Sequence, residues 1–382
     1  MPKPVWIQCI AKTFGFRFFC FCLVWIGLPF MSDEIKAQIV SPEVDGSQVT
    51  FRLRAPKAKE VFVVGIEGME KQPLQLMDGI WTGQVSSLKP EIYSYAFEVD
   101  GTRMIDPSNR NVKKWLSCNS MFEIKGGLLH ERKKVPHGEL REIVYESSTT
   151  ESQRNAIVYV PPGYEGLKDL PVLYLLHGYG DDHLAWKEVG RAHFIADNLI
   201  AEKRIQPCLI VMPYGHPIPI DLKKEFDDYA SSNIEVMNKD LVSDLLPVIQ
   251  SKYKVSSNRV DQAIVGLSMG GGQSLSIGLN NLNLFSKVGG FSSATAQGEF
   301  DQIDKLFPTL VADVKQSNEQ LDVCWIACGK DDFLFKRNGH YIDWLKDRKI
   351  QHEYHVSDGG HDWMVWRKYL VRFLEKSFPA NQ

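Results

Sequence analysis

The chain has 382 residues, of which 44% are hydrophobic and 24% are charged, and its formal net charge is -3. This length suits a catalytic domain with a small accessory domain, and the composition is ordinary for a globular protein. The slightly acidic balance leaves no basic footprint, so nucleic acid is not an expected partner.

The amino-terminal segment predicts an export signal. Three basic residues precede an apolar run over residues 18–30, and a polar stretch follows. This order is typical of a secretory signal peptide, and the run is shorter than the roughly 20 residues of a spanning helix. We therefore assign residues 1–37 to a signal peptide, which predicts an exported protein (periplasmic, surface-held or secreted) with no membrane span in the mature chain. A membrane anchor and a true start at Met31 are the alternatives.

Residues 38–125 have the pattern of short strands separated by turns. Residues 49–53 alternate apolar and polar side chains, and the Asp-Gly pairs at positions 45, 78 and 100 are typical of hairpin turns. The pattern predicts a small all-β, immunoglobulin-like sandwich. Its aromatic residues at positions 81, 93 and 95 are typical of a core, whereas Trp115 is a better candidate for an exposed sugar platform.

A linker over residues 126–138 separates this domain from the next. It contains a basic cluster and Pro136, and its histidines, His130 and His137, are given no catalytic role.

Residues 139–382 alternate continuous apolar runs with helical patterns. The runs cover residues 172–176, 209–212, 263–265 and 323–327, and the helical patterns cover residues 192–202, 238–252, 339–349 and 363–377. Strands buried on both faces have such runs, so we predict an α/β domain, a mostly parallel sheet with helices on both faces. Pro247 is expected to kink or shorten its helix.

A Gly-x-Ser-x-Gly motif lies between one of these strands and a helical stretch. Gly266 and Gly270 flank Ser268, and small neighbours let a sharp strand-to-helix turn project a serine hydroxyl above the sheet. Serine is a weak nucleophile on its own, so the motif needs a base and an orienting carboxylate elsewhere in the chain.

Both groups follow later strand-like runs. Residues 353–356 lead to His361, and residues 323–328 lead to Asp331 and Asp332. Reactive groups gather at the carboxyl ends of parallel strands, and the order Ser, Asp, His is that of a serine hydrolase on such a sheet. His361 would act as general base and acid, and an aspartate would orient it. Only one of the two adjacent aspartates can do so, and we favour Asp332.

The oxyanion of the reaction would be bound by backbone N–H groups. Met269 follows the nucleophile, and Tyr179 lies in the loop after His177, which we interpret as a structural residue. Trp186, Tyr214 and Trp363 are candidates for substrate binding. No Cys/His spacing indicates a metal site, and no cofactor is expected.

These motifs give the chain a resemblance to a known family. Residues 159–164, 172–178 and 359–363 resemble the esterase D-like branch of the α/β-hydrolases, most of all carbohydrate esterase family 1, the family of feruloyl and acetyl xylan esterases. The resemblance implies a catalytic Ser268, Asp332 and His361, and its Gly-x-x-Asp pattern matches residues 329–332. The first domain resembles the early-set, family 48 carbohydrate-binding modules. Tyr179 departs from the family's glycine-rich oxyanion loop, which leaves the acyl preference open.

The resemblance implies an exported serine esterase that removes feruloyl or acetyl groups from plant polysaccharide or oligosaccharide through an acyl-enzyme. Two alternatives stay open. One is an esterase for siderophore trilactones of the enterobactin type, and the other is a carbohydrate-binding protein whose hydrolase domain is inert.

Overall fold

A computed structural model describes residues 39–114, 116, 118–220 and 226–380. The predicted signal peptide and the predicted platform Trp115 lie outside these residues. Residues Ile39–Gln382 group into one unit. Within the described part of the chain, no helix has the length and apolar character needed to cross a bilayer.

The first ten strands form an all-β domain, as the alternating pattern predicts. They are β1 (Glu43–Asp45), β2 (Gln48–Arg54), β3 (Val61–Val64), β4 (Gln72–Pro73), β5 (Gln75–Met77), β6 (Ile80–Val85), β7 (Glu91–Val99), β8 (Thr102–Met104), β9 (Val112–Lys113) and β10 (Asn119–Ile124). One antiparallel sheet has the order β1-β2-β6-β5, and the other has the order β4-β3-β7-β10-β9, with β8 paired to β7. Asp78, Gly79, Asp100 and Gly101 all have positive φ angles, as Asp-Gly hairpin turns require.

Aromatic rings fill the space between these two sheets. Phe51 of one sheet lies 4.8 Å from Tyr95 and 5.7 Å from Phe122 of the other, measured between ring centroids. Trp81 and Tyr93 are also buried. The interpretation of Trp81, Tyr93 and Tyr95 as core residues is confirmed, because rings with so little exposed surface are not available to stack on a sugar.

Eight further strands form a single sheet in the second half of the chain. They are β11 (Glu139–Ser147), β12 (Ser152–Val160), β13 (Val172–Leu176), β14 (Leu209–Pro213), β15 (Gln262–Gly266), β16 (Lys287–Phe291), β17 (Val323–Gly329) and β18 (Glu353–Ser357). Their order is β11-β12-β14-β13-β15-β16-β17-β18. Pairing is antiparallel at β11–β12 and β12–β14 and parallel from β14 to β18. The predicted mostly parallel sheet is confirmed.

Among the described residues, ten α-helices accompany this sheet. They are α1 (Ala185–Glu188), α2 (Ala192–Ala201), α3 (Phe226–Lys239), α4 (Leu246–Lys252), α5 (Met269–Asn280), α6 (Phe300–Asp304), α7 (Pro308–Ala312), α8 (Val314–Gln320), α9 (Phe335–Asp347) and α10 (Trp363–Ser377). A π-helical segment, Asp240–Leu245, joins α3 to α4. Pro247 lies in the first turn of α4, directly after this segment, so the helical pattern over residues 238–252 is interrupted beside the proline.

The apolar runs are buried on both faces, which is why they do not alternate. On β13, Val172, Tyr174 and Leu176 belong to the core under α3, α5 and α9, whereas Leu173 and Leu175 belong to the core under α2 and α10. Successive strand side chains point to opposite faces, so a strand covered on both sides needs apolar residues at every position.

The sandwich contacts the hydrolase domain near the start of α10. Ile92 and Met121 pack with Val189, and Trp363 lies against this cluster. Beside it, the Arg367 guanidinium donates to the Glu91 carboxylate at 2.6 Å, and both side chains are almost fully buried. Of the two linker histidines, His130 is buried and its Nε2 lies 3.3 Å from Glu91. A buried charge pair and an apolar cluster thus join the two domains.

Candidate active site

Ser268 lies on a strained turn between β15 and α5. Its φ of 53° and ψ of -116° are unusual for a non-glycine residue. The turn is crowded: a Cβ on Gly266 would lie 2.4 Å from the Gly270 carbonyl oxygen, and a Cβ on Gly270 would lie 2.5 Å from that of His177. Hydrogen bonds to the Phe291 carbonyl and from the Ala294 N–H, at 2.8 and 2.9 Å, hold the Ser268 backbone. The sequence motif therefore forms a serine elbow that only glycine neighbours allow.

His361 connects this serine to a buried carboxylate. Its Nε2 lies 2.9 Å from Ser268 Oγ, and its Nδ1 lies 3.0 and 2.9 Å from the two carboxylate oxygens of Asp332. Asp331 is exposed, and its backbone N–H donates to the Gly359 carbonyl instead. The structure thus brings together Ser268, His361 and Asp332 and leaves Asp331 outside. In this arrangement Nδ1 donates to Asp332, and Nε2 accepts a hydrogen bond from the serine hydroxyl.

A second set of contacts holds Asp332 itself. The Leu334 N–H donates to Asp332 at 2.8 Å, and Ser292, a buried residue with a φ of 47°, also hydrogen-bonds the carboxylate. Trp366 Nε1 donates to Ser292 Oγ at 3.0 Å. Burial favours the neutral acid, but the hydrogen bonds from His361 and Ser292 outweigh it, so the pKa of Asp332 is lowered. Ser292 carried no sequence signal, because it lies 40 residues before the carboxylate that it contacts.

The loop from His177 to Asp181 lies against the nucleophile. A Cβ on Gly178 would be 3.5 Å from that of Ser268. His177 is buried, its Nδ1 donates to the Gly178 carbonyl at 2.8 Å, and its Nε2 accepts the Gly215 N–H at 2.7 Å. The structural interpretation of His177 fits this geometry, because both ring nitrogens are used within the loop and its support.

Tyr179 rests on a second buried histidine. His216 Nε2 donates to the Tyr179 carbonyl at 3.1 Å, and its Nδ1 accepts the Tyr229 hydroxyl at 2.6 Å. The Tyr179 ring packs edge-on against the rings of His216 and Tyr229. Burial lowers the pKa of His177 to about 4 and that of His216 to about 3, so both are neutral in the folded protein.

Met269 occupies the first position of α5, directly after Ser268. The N–H groups of a first helical turn lack an intrahelical acceptor and carry the positive end of the helix dipole. The Met269 N–H is therefore suited to bind developing negative charge beside the nucleophile.

The three aromatic residues predicted to bind substrate occupy different places. Trp363, at the start of α10, lines the cleft that contains Ser268 and His361. Tyr214 lines a neighbouring groove with Asp182 and His183. Trp186 is 1% exposed, its ring NH donates to the Leu176 carbonyl, and its ring packs on Trp363 at 4.9 Å. This is a correction to the expectation for Trp186, since its side chain supports the cleft from within the core and is covered from substrate.

The cleft has a volume of about 420 Å³ and contains groups that the sequence did not indicate. Phe333 is 75% exposed, and its ring lies 4.4 Å from the ring of His361. The sandwich forms part of the wall, through Gly65, Glu67, Ile92, Ser94, Lys113 and Asn119. No local pattern marks these residues, because they reach the cleft only through the docking of one domain on the other.

Comparison with known proteins identifies the second domain. Residues 147–376 match the model of the family described as "Putative esterase". An endo-1,4-beta-xylanase/feruloyl esterase of Xylanibacter ruminicola is 29% identical over 340 residues, which cover 86% of this chain. The chain spans only 44% of the length of that relative.

Solved structures share the fold. A family CE1 ferulic acid esterase from Anaeromyces mucronatus has a TM-score of 0.57 at 24% identity, over 66% of this chain and 95% of its own. The enterobactin esterase of Shigella flexneri has a TM-score of 0.62 at 19% identity, over 86% of this chain and 92% of its own. The second likeness extends beyond the hydrolase domain and includes a large part of the sandwich region.

Proposed function

The chain belongs to this esterase family, and we propose that it hydrolyses carboxylic esters with Ser268 as the nucleophile, His361 as the base and Asp332 as the orienting acid. The observation that carries the proposal is the continuous path from Ser268 Oγ through the His361 ring to Asp332, with distances of 2.9 Å at both junctions. Such a path is the geometry that activates a serine hydroxyl.

In the proposed reaction, Ser268 Oγ attacks the ester carbonyl while His361 Nε2 takes the hydroxyl proton. The Tyr179 and Met269 N–H groups would bind the oxyanion, and loss of one such donor costs about 3 kcal/mol of transition-state stabilisation in serine hydrolases. His361 then protonates the leaving alcohol, which forms the acyl-enzyme, and a water activated by the same nitrogen releases the acid.

We further propose that the substrate is a feruloyl or acetyl ester of a plant polysaccharide or oligosaccharide. The Xylanibacter relative is named a feruloyl esterase, and the Anaeromyces structure is that of a ferulic acid esterase. Tyr179, Phe333, Trp363 and Trp366 give the cleft an aromatic lining, which suits a planar phenolic acyl group. Export, and sugar binding by the sandwich, stay predictions.

The likeness to the enterobactin esterase supports one alternative, a siderophore trilactone esterase. The charges in the cleft favour a neutral substrate instead. The described lining of the cleft includes the carboxylates of Glu67, Asp181 and Asp362. The cationic side chains in that lining, Lys113 and Arg367, are paired with carboxylates. An anionic catecholate would meet little free positive charge there.

Purified wild-type protein and the Ser268→Ala variant test the proposal with p-nitrophenyl acetate. We expect the variant to lose turnover by about 10⁴-fold or more. Equal turnover by both proteins would refute the catalytic assignment and would favour the other alternative, a carbohydrate-binding protein with an inert hydrolase domain. Parallel assays with methyl ferulate, acetylated xylan and a catecholate trilactone then rank the substrates, and preference for the trilactone would overturn the plant-ester proposal.

A further inference from the structure

A lysine of the sandwich reaches the loop beside the nucleophile. Lys113 ends the edge strand β9, and its Nζ lies 3.0 Å from Oδ1 of Asp181. The two side chains are 15% and 7% exposed. The next residue, Lys114, is a natural comparison, because its side chain is 56% exposed and pairs with Glu188 at 3.5 Å on the surface.

Asp181 shapes the loop that contains Tyr179. Its backbone N–H donates to the Gly178 carbonyl at 3.1 Å, which closes a turn around Tyr179 and Gly180. Its carboxylate lies against Gly178, where an added Cβ would be 3.2 Å from Oδ2, and Gly178 in turn lies against Ser268. The Asp181 side chain therefore packs against the backbone that carries the Tyr179 N–H past the nucleophile.

A buried carboxylate of this kind needs a compensating cation. Burial raises the pKa of Asp181, and the Lys113 ammonium is foremost among the groups that oppose this effect. Lys113 comes from the other domain, and its place is set by the docking of the sandwich through Glu91 and Arg367. The ionised form of Asp181 thus depends on the sandwich.

We propose that Lys113 is a positioning residue of the esterase, through which the sandwich holds Asp181 and keeps the loop over residues 177–181 in the geometry that binds the oxyanion. This inference rests on the proposed function. It assigns the sandwich a part in the chemical step on any ester, however small, in addition to any contact with a glycan.

The test compares full-length wild-type protein with the variants Lys113→Met, Lys113→Arg and Lys114→Met, using p-nitrophenyl acetate. Misplacement of a catalytic group by about 1 Å costs up to about 100-fold in rate, so we expect kcat of Lys113→Met to fall about ten- to hundredfold with KM changed less than about twofold. Lys113→Arg keeps the charge and retains most of kcat. Lys114→Met, which removes an exposed charge from the adjacent position, behaves as wild type.

An inhibitor that binds as a tetrahedral anion isolates the oxyanion. A phenylboronic acid adds to the serine hydroxyl and carries the negative charge where the oxyanion forms. Its inhibition constant should therefore rise in Lys113→Met by the same factor by which kcat falls, because both report the same N–H geometry. A fall in kcat with unchanged boronate affinity would overturn the proposed route through the oxyanion loop.

A double variant separates positioning from folding. Lys113→Met with Asp181→Asn removes both charges and keeps a side chain of nearly the same shape beside Gly178. If Lys113→Met is defective because it leaves the Asp181 charge buried and unpaired, the double variant recovers at least part of kcat. This recovery is expected even where Lys113→Met alone folds poorly. Wild-type turnover by Lys113→Met refutes the inference and leaves the proposed function intact, provided that Ser268→Ala is inactive. Full activity of Ser268→Ala would refute the proposed function itself.

Discussion

Replacement of Asp332 by asparagine tests which of two adjacent carboxylates supports His361. The Asp332 side chain is fully buried, and both of its oxygens lie within 3.0 Å of His361 Nδ1. Asparagine has nearly the same shape, but it cannot stabilise the imidazolium that forms when His361 takes the serine proton. Its amide group can also donate to Nδ1, which would put the imidazole proton on the wrong nitrogen.

The magnitude follows from this geometry. Opposite charges about 4 Å apart at an effective dielectric constant of about 20 attract by about 4 kcal/mol, which corresponds to about 10³-fold in rate. Loss of the correct tautomer adds to this loss, and the equivalent change in a serine protease triad costs about 10⁴-fold in kcat. We therefore expect Asp332→Asn to lower kcat on p-nitrophenyl acetate by about 10³- to 10⁴-fold, the range that these two estimates span.

Asp331→Asn is the matched control, because it makes the same chemical change one residue away on an exposed side chain. We expect its kcat to lie within about twofold of wild type, since its contact with residue 359 uses only the backbone. Steady-state kinetics on both variants at neutral pH decide the matter. If Asp331→Asn abolishes turnover and Asp332→Asn does not, the acid has been assigned to the wrong residue.

Two further predictions concern stability. Glu91→Gln breaks a buried charge pair with Arg367, which typically costs about 3–5 kcal/mol and lowers the melting temperature by roughly 10 °C. The control Glu98→Gln breaks a surface pair with Lys71 and should cost less than about 1 kcal/mol. Equal shifts of the melting temperature in calorimetry would contradict the argument from burial. The second concerns acid pH: folding lowers the pKa of His177 to about 4 and that of His216 to about 3, so the unfolded chain binds more protons once the pH drops below about 6.5. Stability that is fully present above this pH is therefore lost as the pH falls toward 4. His216→Gln should flatten the dependence of the melting temperature on pH over that window. An unchanged slope would show that His216 takes up no proton on unfolding.

The arrangement of Ser268, Asp332 and His361 was predictable because it depends on strand ends. β15, β17 and β18 lie in the same half of one parallel sheet, so the residues that follow their carboxyl ends meet at one edge. The choice between Asp331 and Asp332 depended on the resemblance as much as on chemistry, since strand periodicity does not continue into a turn. In the structure the backbone of Asp331 pairs with residue 359, and this contact leaves Asp332 as the side chain directed at His361.

What the sequence did not reveal depends on contacts between distant residues. The sequence around an aromatic residue near the active site is the same whether the ring lies in the core or in the cleft wall. Trp186 lies in the core, where its ring packs against that of Trp363. The docking of the sandwich also depends on contacts between residues that are distant in the sequence. Glu91 and Arg367 are 276 residues apart in the chain, and neither belongs to a motif that would predict the other. A buried pair at such separation becomes visible only when the two domains are placed together.

These interdomain contacts change how the sandwich is best understood. A detachable binding module raises the local concentration of a polymer and leaves the turnover of a small ester unchanged. Here the sandwich supplies part of the cleft wall, a buried partner for Arg367 and a cation for Asp181. Lys113 and Arg367 both line the cleft that contains Ser268 and His361. The preference for one ester over another is therefore expected to depend on the sandwich wall as well as on Tyr179.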